Sequence, residues 1–144
     1  MEPSHVLVPL DGSPLADAAL THAFSVFECP VTVLNVVTRL DSGMSEGGIL
    51  DLDGTREAAA RERADRLIER AETRAAAENR TIETAVESGD PAEAILTYAE
   101  DNDVDHIVMG GHSGDPDGLV ERLLGTVVTT VVSNAPITVT VVRN

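Results

Sequence analysis

Hydrophobic and polar positions follow two different patterns along the chain, and the first of them predicts strands. Nearly continuous apolar runs, rich in β-branched residues, occupy residues 6–10, 31–37, 105–109 and 137–142. Such runs are typical of strands that are buried on both faces of a sheet. Residues 81–86 alternate between apolar and polar positions and predict one more strand.

The segments between these strands have helical spacing. The first helix begins after Ser13-Pro14, because serine is a good N-cap and proline fits the first helical position. The second helix spans residues 55–79, with a solvated charged face and an apolar stripe. The positions at core-facing spacing are Leu15, Ala18, Ala19, His22 and Val26 in the first helix, and Ala60, Ala64, Leu67, Ile68, Ala71 and Ala75 in the second; His22 is expected to be a semi-buried histidine rather than a ligand.

Two further helices are predicted in the second half of the chain. Asp90 and Glu93 form a capping box that opens a helix reaching to about residue 102. Residues 118–133 are β-branched, but their apolar positions pair every four residues and therefore predict a helix. Gly125 fits the interior of that helix poorly, at a cost of about 1 kcal/mol relative to alanine. A helix that begins near Thr126 would explain this glycine.

Strands that alternate with helices predict a single α/β domain over residues 1–144, an open parallel sheet with helices on both faces. Ligands of such folds bind beyond the carboxyl ends of the strands. The first strand ends there at Asp11, and the fourth ends in a loop with Gly110, Gly111 and Gly114. Glycines after a strand let the backbone approach a phosphate, and the amides of the next helix supply positive potential.

Composition changes this picture mainly through charge. The formal net charge is -15, and all ten basic residues are arginine. A surface this acidic repels nucleic acid and anionic membranes. Solubility is the simplest explanation, but an acidic, lysine-free surface also suits a salt-rich cytoplasm, so we expect a salt-adapted source. The N-terminus has neither a basic region nor a long apolar run, which predicts a cytoplasmic protein.

Candidate chemistry points to binding more than to catalysis. Asp11 either accepts hydrogen bonds from a ribose or adenine, helps to hold Mg²⁺, or serves only as a turn residue before Gly12. His112 either touches a phosphate or is an ordinary loop residue. Ser13 and Ser113 have no histidine and aspartate at the spacing of a catalytic triad, and Cys29 has no histidine cluster beside it. No catalytic residue and no resident metal site is predicted.

Several motifs, in a fixed order, resemble those of the universal stress protein family. They are VLVPLDGSP, SGDPAEAILTYAEDNDVDHIVMGGH and LLGTVVTTVVSNAPITVTVVR, together with the long middle helix, and they cover essentially the whole chain. The resemblance implies a five-stranded parallel sheet of order 3-2-1-4-5 with four helices. It also implies a homodimer that forms through the last strand of each subunit.

Some members of that family bind ATP and others do not. In the binders, a Gly-x2-Gly-x9-Gly-Ser/Thr signature follows the fourth strand. Here Gly111 and Gly114 match the first pair and Gly125-Thr126 the last, with ten intervening residues instead of nine. Gly110 competes for the first position, which makes the loop two residues longer than usual.

The same resemblance implies roles for two residues outside the glycine signature. It places Asp11 near the nucleotide and the backbone of Val36 against the adenine. The loop itself departs from the pattern at Asp115-Pro116-Asp117, where binders carry small or basic residues. A carboxylate about 4 Å from a phosphate costs roughly 1 kcal/mol in water and about 4 kcal/mol at an effective dielectric of 20. High salt, a bridging Mg²⁺ or an outward swing of the loop would offset this repulsion.

Three hypotheses follow. The first is a dimeric regulatory module of the stress response that binds ATP, with or without Mg²⁺, and turns it over slowly if at all. The second is a dimeric interaction protein of the same family that binds no nucleotide. The third is an enzyme such as a nucleotide hydrolase, which the sequence favours least because no base or cation for phosphoryl transfer is evident.

Overall fold

The computed structural model describes residues 3–37, 55–111 and 125–143, and in these residues five strands alternate with four helices. The strands are β1 (Val6–Pro9), β2 (Val31–Val37), β3 (Ile82–Ser88), β4 (His106–Gly110) and β5 (Thr138–Val142). The helices are α1 (Pro14–Val26), α2 (Thr55–Ala77), α3 (Pro91–Asp101) and α4 (Thr126–Asn134). The predicted elements are all present, with strand ends shifted by one or two residues.

The strands form one parallel sheet in the order β3-β2-β1-β4-β5, which confirms the expected α/β architecture. Strand β1 lies at the centre, between β2 and β4. Its first residue, Val6, aligns with Val31 of β2 and with His106 of β4. The chain reverses its winding direction at β1, so the carboxyl ends of β1 and β4 flank the switch point where ligands of such folds bind.

Two apolar layers cover the sheet. Helices α1 and α2 pack on one face, where Val6, Val8 and Val108 point, and α3 and α4 pack on the other, where Leu7 and Ile107 point. All five of these strand residues are completely buried. Burial on both faces explains why the central strands are continuously apolar.

The predicted buried face of α1 is wrong. The helix buries Ala16, Ala19, Leu20, Ala23 and Phe24 instead. Of the predicted positions Ala19 is buried, Leu15 and His22 are half-buried, and Ala18 and Val26 are exposed, Val26 to 54%. Alanines occupy both sides of this helix, so apolar spacing alone fits two faces. The larger Leu20 and Phe24 fix the face that packs, because they bury more area.

The predicted helix over residues 118–133 is also wrong at its start. Gly125 has an extended backbone (φ -63°, ψ 159°) and is the N-cap of α4, which begins at Thr126. A helix that starts at this glycine removes the conformational cost that an internal glycine would carry. Residues 118–124 lie outside the described residues.

The first residues of α1 and α3 confirm the predicted N-caps. The Ser13 hydroxyl accepts a hydrogen bond from Ala16 N–H, and an Asp90 carboxylate oxygen accepts one from Glu93 N–H. Each helix has a proline in its first turn. These caps fix where both helices leave the carboxyl edge of the sheet, and so they shape the loops that surround the switch point.

Candidate functional site

A cavity of about 400 Å³ opens at the carboxyl ends of β1, β2 and β4. Its apolar floor comes from the sheet and from facing helices and includes Leu34, Met109 and Ile95. Its polar lining includes Asp11, Asn35 and the beginning of α4. Both the volume and the mixture of apolar walls with a few polar groups are typical of small-molecule sites.

Asp11 lies on the rim of the cavity and is exposed. Its Oδ1 accepts a hydrogen bond from the Ser13 N–H at 2.9 Å, which closes a turn between β1 and α1. Gly12 within this turn has a φ of +88°, a conformation that favours glycine. Asp11 is therefore a turn residue, and the same turn places it beside the cavity.

Val36 also lines the cavity, near the end of β2. Its neighbour Asn35 is buried, and the Nδ2 of Asn35 donates to the carbonyl oxygen of Leu10 at 2.8 Å. The bond ties the end of β2 to the chain that leaves β1. Asn35 was not predicted as a site residue. The signal in the sequence was an amide side chain inside the apolar run VTVLNVV.

Gly110 lines the cavity at the end of β4. Because it has no side chain, α1 can pack closely against it. A Cβ at this position would lie 2.7 Å from the carbonyl carbon of Leu15 and 2.9 Å from the amide nitrogen of Ala16. Both atoms belong to the backbone and have little freedom to move away. The need for glycine here is thus explained by the close approach of a helix.

Gly111 is buried, and both of its backbone polar groups are engaged. Its N–H donates to the Val142 carbonyl at 2.8 Å, and its carbonyl accepts from Gly125 N–H at 2.9 Å. The second bond holds the start of α4 against the end of β4. It also uses the Gly125 amide internally, so this amide is not a donor to a ligand.

The beginning of α4 faces the cavity, which Gly125, Thr126, Val127 and Val128 line. The Gly125 carbonyl accepts the first helical bond, from Thr129 N–H at 3.0 Å. The N–H groups of residues 126–128 precede that bond and have no acceptor within the helix. Since Gly125 has no side chain to cap them, the first turn can present its amides and the positive end of the helix dipole to an anion.

The remaining glycine of the predicted signature, Gly114, lies outside the described residues. The same holds for His112, Ser113 and the departure at Asp115-Pro116-Asp117. The structure thus brings Asp11, Val36, Gly110, Gly125 and Thr126 around one cavity, and it places Gly111 directly beneath α4 as a structural support.

One cationic residue, Arg63 of α2, lines the cavity within the part of the chain that the structure describes. The charged face of α2 was predicted to be solvated rather than to form a binding patch; Arg63 is exposed, and it also lines the cavity. Helical spacing alone puts Arg63 one position before the buried Ala64, at the border of the apolar stripe. This border position was the available signal.

The described residues contain neither a metal-binding group nor a membrane-spanning helix. Among residues 3–37, 55–111 and 125–143, no group of three or more His, Cys, Asp or Glu side chains is placed to hold a metal ion. In the same ranges, no helix is both long and apolar enough to cross a membrane. The arrangement can hold a flat apolar group over the floor, a polar group at Asp11 and an anion at α4.

Comparisons with a family model and with solved structures identify the same protein family. The model of the "Universal stress protein family" matches residues 3–143. A search of curated proteins found no match. Among solved structures, the universal stress protein UspA from Lactobacillus plantarum is 26% identical, with a TM-score of 0.81 and 99% of each chain covered.

Two more distant structures share the fold and are described as nucleotide complexes. A universal stress protein in complex with cAMP is 21% identical, with a TM-score of 0.71 over 99% of each chain. An Arabidopsis thaliana universal stress protein family protein with AMP bound is 16% identical, with a TM-score of 0.66 over 99% of this chain and 93% of that one.

Proposed function

The chain belongs to the universal stress protein family, and we propose that it is a regulatory module that binds ATP in the cavity at the carboxyl ends of β1 and β4. The observation that carries this proposal is the first turn of α4. Its N-cap is a glycine, its leading amides have no acceptor within the helix, and its residues line the same cavity as Asp11 and Val36.

The residues present fit an adenine nucleotide. The phosphates would lie at the amides of residues 126–128, because this end of the helix carries partial positive charge. The ribose would lie near Asp11, whose carboxylate accepts hydrogen bonds from hydroxyl groups. The base would lie over the apolar floor against the Val36 backbone. Asp11 and the phosphates are also the oxygen ligands that Mg²⁺ prefers.

The two nucleotide complexes among similar structures support this class of ligand. One contains cAMP and the other AMP, and both ligands combine adenine, ribose and phosphate. We extend this to ATP because α4 offers several amides in one turn and Arg63 adds a positive charge at the cavity. A triphosphate uses such donors more fully than a single phosphate does.

We propose binding and regulation here, with no fast catalysis. Phosphoryl transfer needs a positioned base or water and cations that stabilise the transferred group. Among the described lining residues, Asp11 is the carboxylate and Arg63 the cation, and both belong to exposed positions. We expect ATP turnover no faster than that of a Gly125→Trp variant, in which the indole fills the phosphate site. Faster turnover in the native protein would support a hydrolase.

We also propose a homodimer through β5 in the cytoplasm. Strand β5 is at the edge of the described sheet, and an open edge offers unpaired backbone groups to a second strand. Sedimentation equilibrium decides the point. A mass of twice 15.2 kDa supports the dimer, and a monomer at micromolar concentration contradicts it.

The site assignment is tested by titration calorimetry with MgATP on the native protein and on Gly125→Val. Valine adopts the extended backbone of Gly125 without strain, so the variant should fold, while its branched side chain would stand at the leading amides. We expect binding to be lost. Ala135→Val is the matched control, since Ala135 caps the other end of α4 with a similar extended backbone (φ -70°, ψ 131°). Equal affinity of Gly125→Val and the native protein would refute this site.

A further inference from the structure

Strands β1 and β2 separate at the cavity in an unusual way. Their regular pairing ends at Pro9, which aligns with Leu34. One more backbone bond follows, from Leu10 N–H to the Leu34 carbonyl at 2.8 Å. In a regular parallel ladder the Leu10 carbonyl would next accept from the N–H of Val36. The register does not continue to that pair.

A side chain replaces the missing backbone donor. The Leu10 carbonyl accepts from Nδ2 of Asn35 at 2.8 Å. Asn35 is 7% exposed, so its amide is held among packed neighbours and competes little with water. A buried carbonyl without a donor is costly. Asn35 removes that cost without using the Val36 amide.

The direction of the Val36 peptide groups follows from its neighbours. Along a strand, the N–H and C=O groups of successive residues point to opposite edges. The Val37 carbonyl accepts from Gly89 N–H at 3.0 Å and thus points toward β3. The backbone N–H and C=O of Val36 therefore point toward β1, at a level of the sheet beyond the last residue of β1. Leu10 and Asp11, which follow β1, line the same cavity as Val36, so the Val36 N–H and C=O point toward this cavity.

We propose that Asn35 is a positioning residue that keeps the peptide edge of Val36 open for a ligand. By occupying the Leu10 carbonyl, Asn35 prevents the ladder from closing over Val36. The exposed edge then offers one donor beside one acceptor. It suits a heterocycle with a ring nitrogen acceptor next to an amino donor, which is the pattern on the Watson–Crick edge of adenine. Guanine in the same orientation would place donor against donor.

The inference about ligand selection rests on the proposed function, but the role of Asn35 in the strand does not, so the two are tested separately. Amide hydrogen exchange of the ligand-free full chain, measured by NMR, tests the role of Asn35 in the strand. We expect the Val36 amide to exchange at least about 100-fold faster than those of Leu34 and Val37, which the ladders protect. Equal protection of Val36 in the native protein would overturn the proposal.

Two variants extend this test. In Asn35→Ala the Leu10 carbonyl loses its partner, so Val36 N–H should close onto it and become protected. Asn35→His restores a side-chain donor and should return Val36 toward fast exchange. Asn134→Ala is the matched control, because Asn134 Nδ2 also donates to a backbone carbonyl, that of Thr130 at 2.8 Å, on the exposed surface. Unchanged Val36 exchange in a folded Asn35→Ala protein would contradict the proposal.

Nucleotide selection is measured last, by titrating ATP and GTP. We expect Asn35→Ala to reduce the ratio of ATP to GTP affinity by about tenfold, and Asn134→Ala to leave it unchanged. If the native protein binds neither nucleotide, the proposed function fails while the exchange result still decides the role of Asn35. A preserved ratio in Asn35→Ala, with Val36 protected, would overturn the link between the open edge and ligand selection.

Discussion

At the scale of single residues, Arg63 and Arg66 separate a binding role from a purely solvated one. Both are exposed arginines on α2, but only Arg63 lines the cavity. If the phosphates lie at α4, Arg63→Ala should weaken ATP binding by about three- to tenfold, the range of one charge-assisted contact near the surface. Adenosine, which has no phosphate, should bind the variant unchanged.

The control for this prediction is Arg66→Ala, which removes the same charge from the same helix without touching the cavity. Calorimetric titration of both variants with ATP and adenosine gives the comparison. Equal losses in the two variants would mean that Arg63 acts only through the net charge of the molecule.

Gly110 gives a second prediction, and it concerns stability. A Cβ at Gly110 would meet backbone atoms of Leu15 and Ala16 at 2.7 and 2.9 Å, so α1 must move or the sheet must distort. We expect Gly110→Ala to lower the free energy of unfolding by roughly 1–3 kcal/mol, as overpacking does elsewhere. Urea unfolding measures this value.

Gly111→Ala provides a graded control for the same measurement. Apart from its chain neighbours, its Cβ would come closest, at 3.2 Å, to the Val142 carbonyl oxygen and to the Cγ of the flexible Arg143 side chain. The loss in stability should therefore be smaller than for Gly110→Ala. The reverse order would show that the contact with α1 does not explain the glycine.

Residue-level chemistry was only partly predictable from the sequence. The position of Asp11 after an apolar strand was enough to place it at the carboxyl edge of the sheet. The packing role of Gly110 was not, because it depends on how closely α1 crosses β4. Asn35 and Arg63 were missed for a similar reason: their importance arises from neighbours that are distant in sequence, Leu10 in one case and the cavity in the other.

At the scale of elements, a histidine links the edge strand β5 to the rest of the sheet. His106 Nε2 shares a hydrogen bond with the Thr140 hydroxyl at 2.7 Å. The centroid of its ring lies 4.7 Å from the centroid of the Phe27 ring. Burial lowers the pKa of His106 below its ordinary value. Nearby Asp105 opposes this shift and His22 reinforces it.

This shift predicts how stability depends on pH. Because the folded state holds His106 with a lowered pKa, the unfolded chain binds more protons as the pH falls through the ordinary histidine value of about 6.5. The contribution of His106 to the free energy of unfolding is therefore fully present above that value and is lost as the pH falls below it. We expect the melting temperature of the native protein to fall between pH 7.5 and 5.5, and that of His106→Gln to fall less. Parallel curves for the two proteins would contradict this account of His106.

The strands and helices were predicted well where the apolar pattern fits only one structure, and poorly where it fits two. Short continuous apolar runs rich in β-branched residues identified the buried strands, since such runs are typical of strands buried on both faces. The face of α1 was missed because small alanines lie all round the helix. The predicted helix over residues 118–133 followed an apolar spacing that continues through Gly125, whereas the extended backbone of Gly125 makes the helix begin at Thr126, the start that the glycine itself suggested.

At the scale of the whole molecule, charge should dominate the response to salt. The formal net charge of -15 on 144 residues implies strong repulsion among surface carboxylates. Molar salt shortens the Debye length to about 3 Å and removes most of that repulsion. We expect the melting temperature to rise by about 5 °C or more between low and molar KCl, equivalent to roughly 1–2 kcal/mol for a domain of this size. An unchanged melting temperature would contradict salt adaptation.

The architecture of the whole molecule was the most predictable level. Alternating strands and helices restrict the sheet to a parallel one, and the motif resemblance implied the strand order that the structure confirms. Ligand binding was less predictable, because it depends on which backbone groups are left without partners at the carboxyl edge. Such groups become visible only when the register of β1 against β2 and the start of α4 are known.

The most direct test of ATP binding at α4 is thermal unfolding in molar KCl with and without millimolar MgATP. Ligand at about 100 times its dissociation constant adds roughly 2.7 kcal/mol of stability, or about 5–10 °C for a domain of this size. We predict such a shift for the native protein and none for Gly125→Val. The absence of a shift with ATP, AMP or cAMP at any concentration would contradict the account and would favour a family member that acts without a nucleotide.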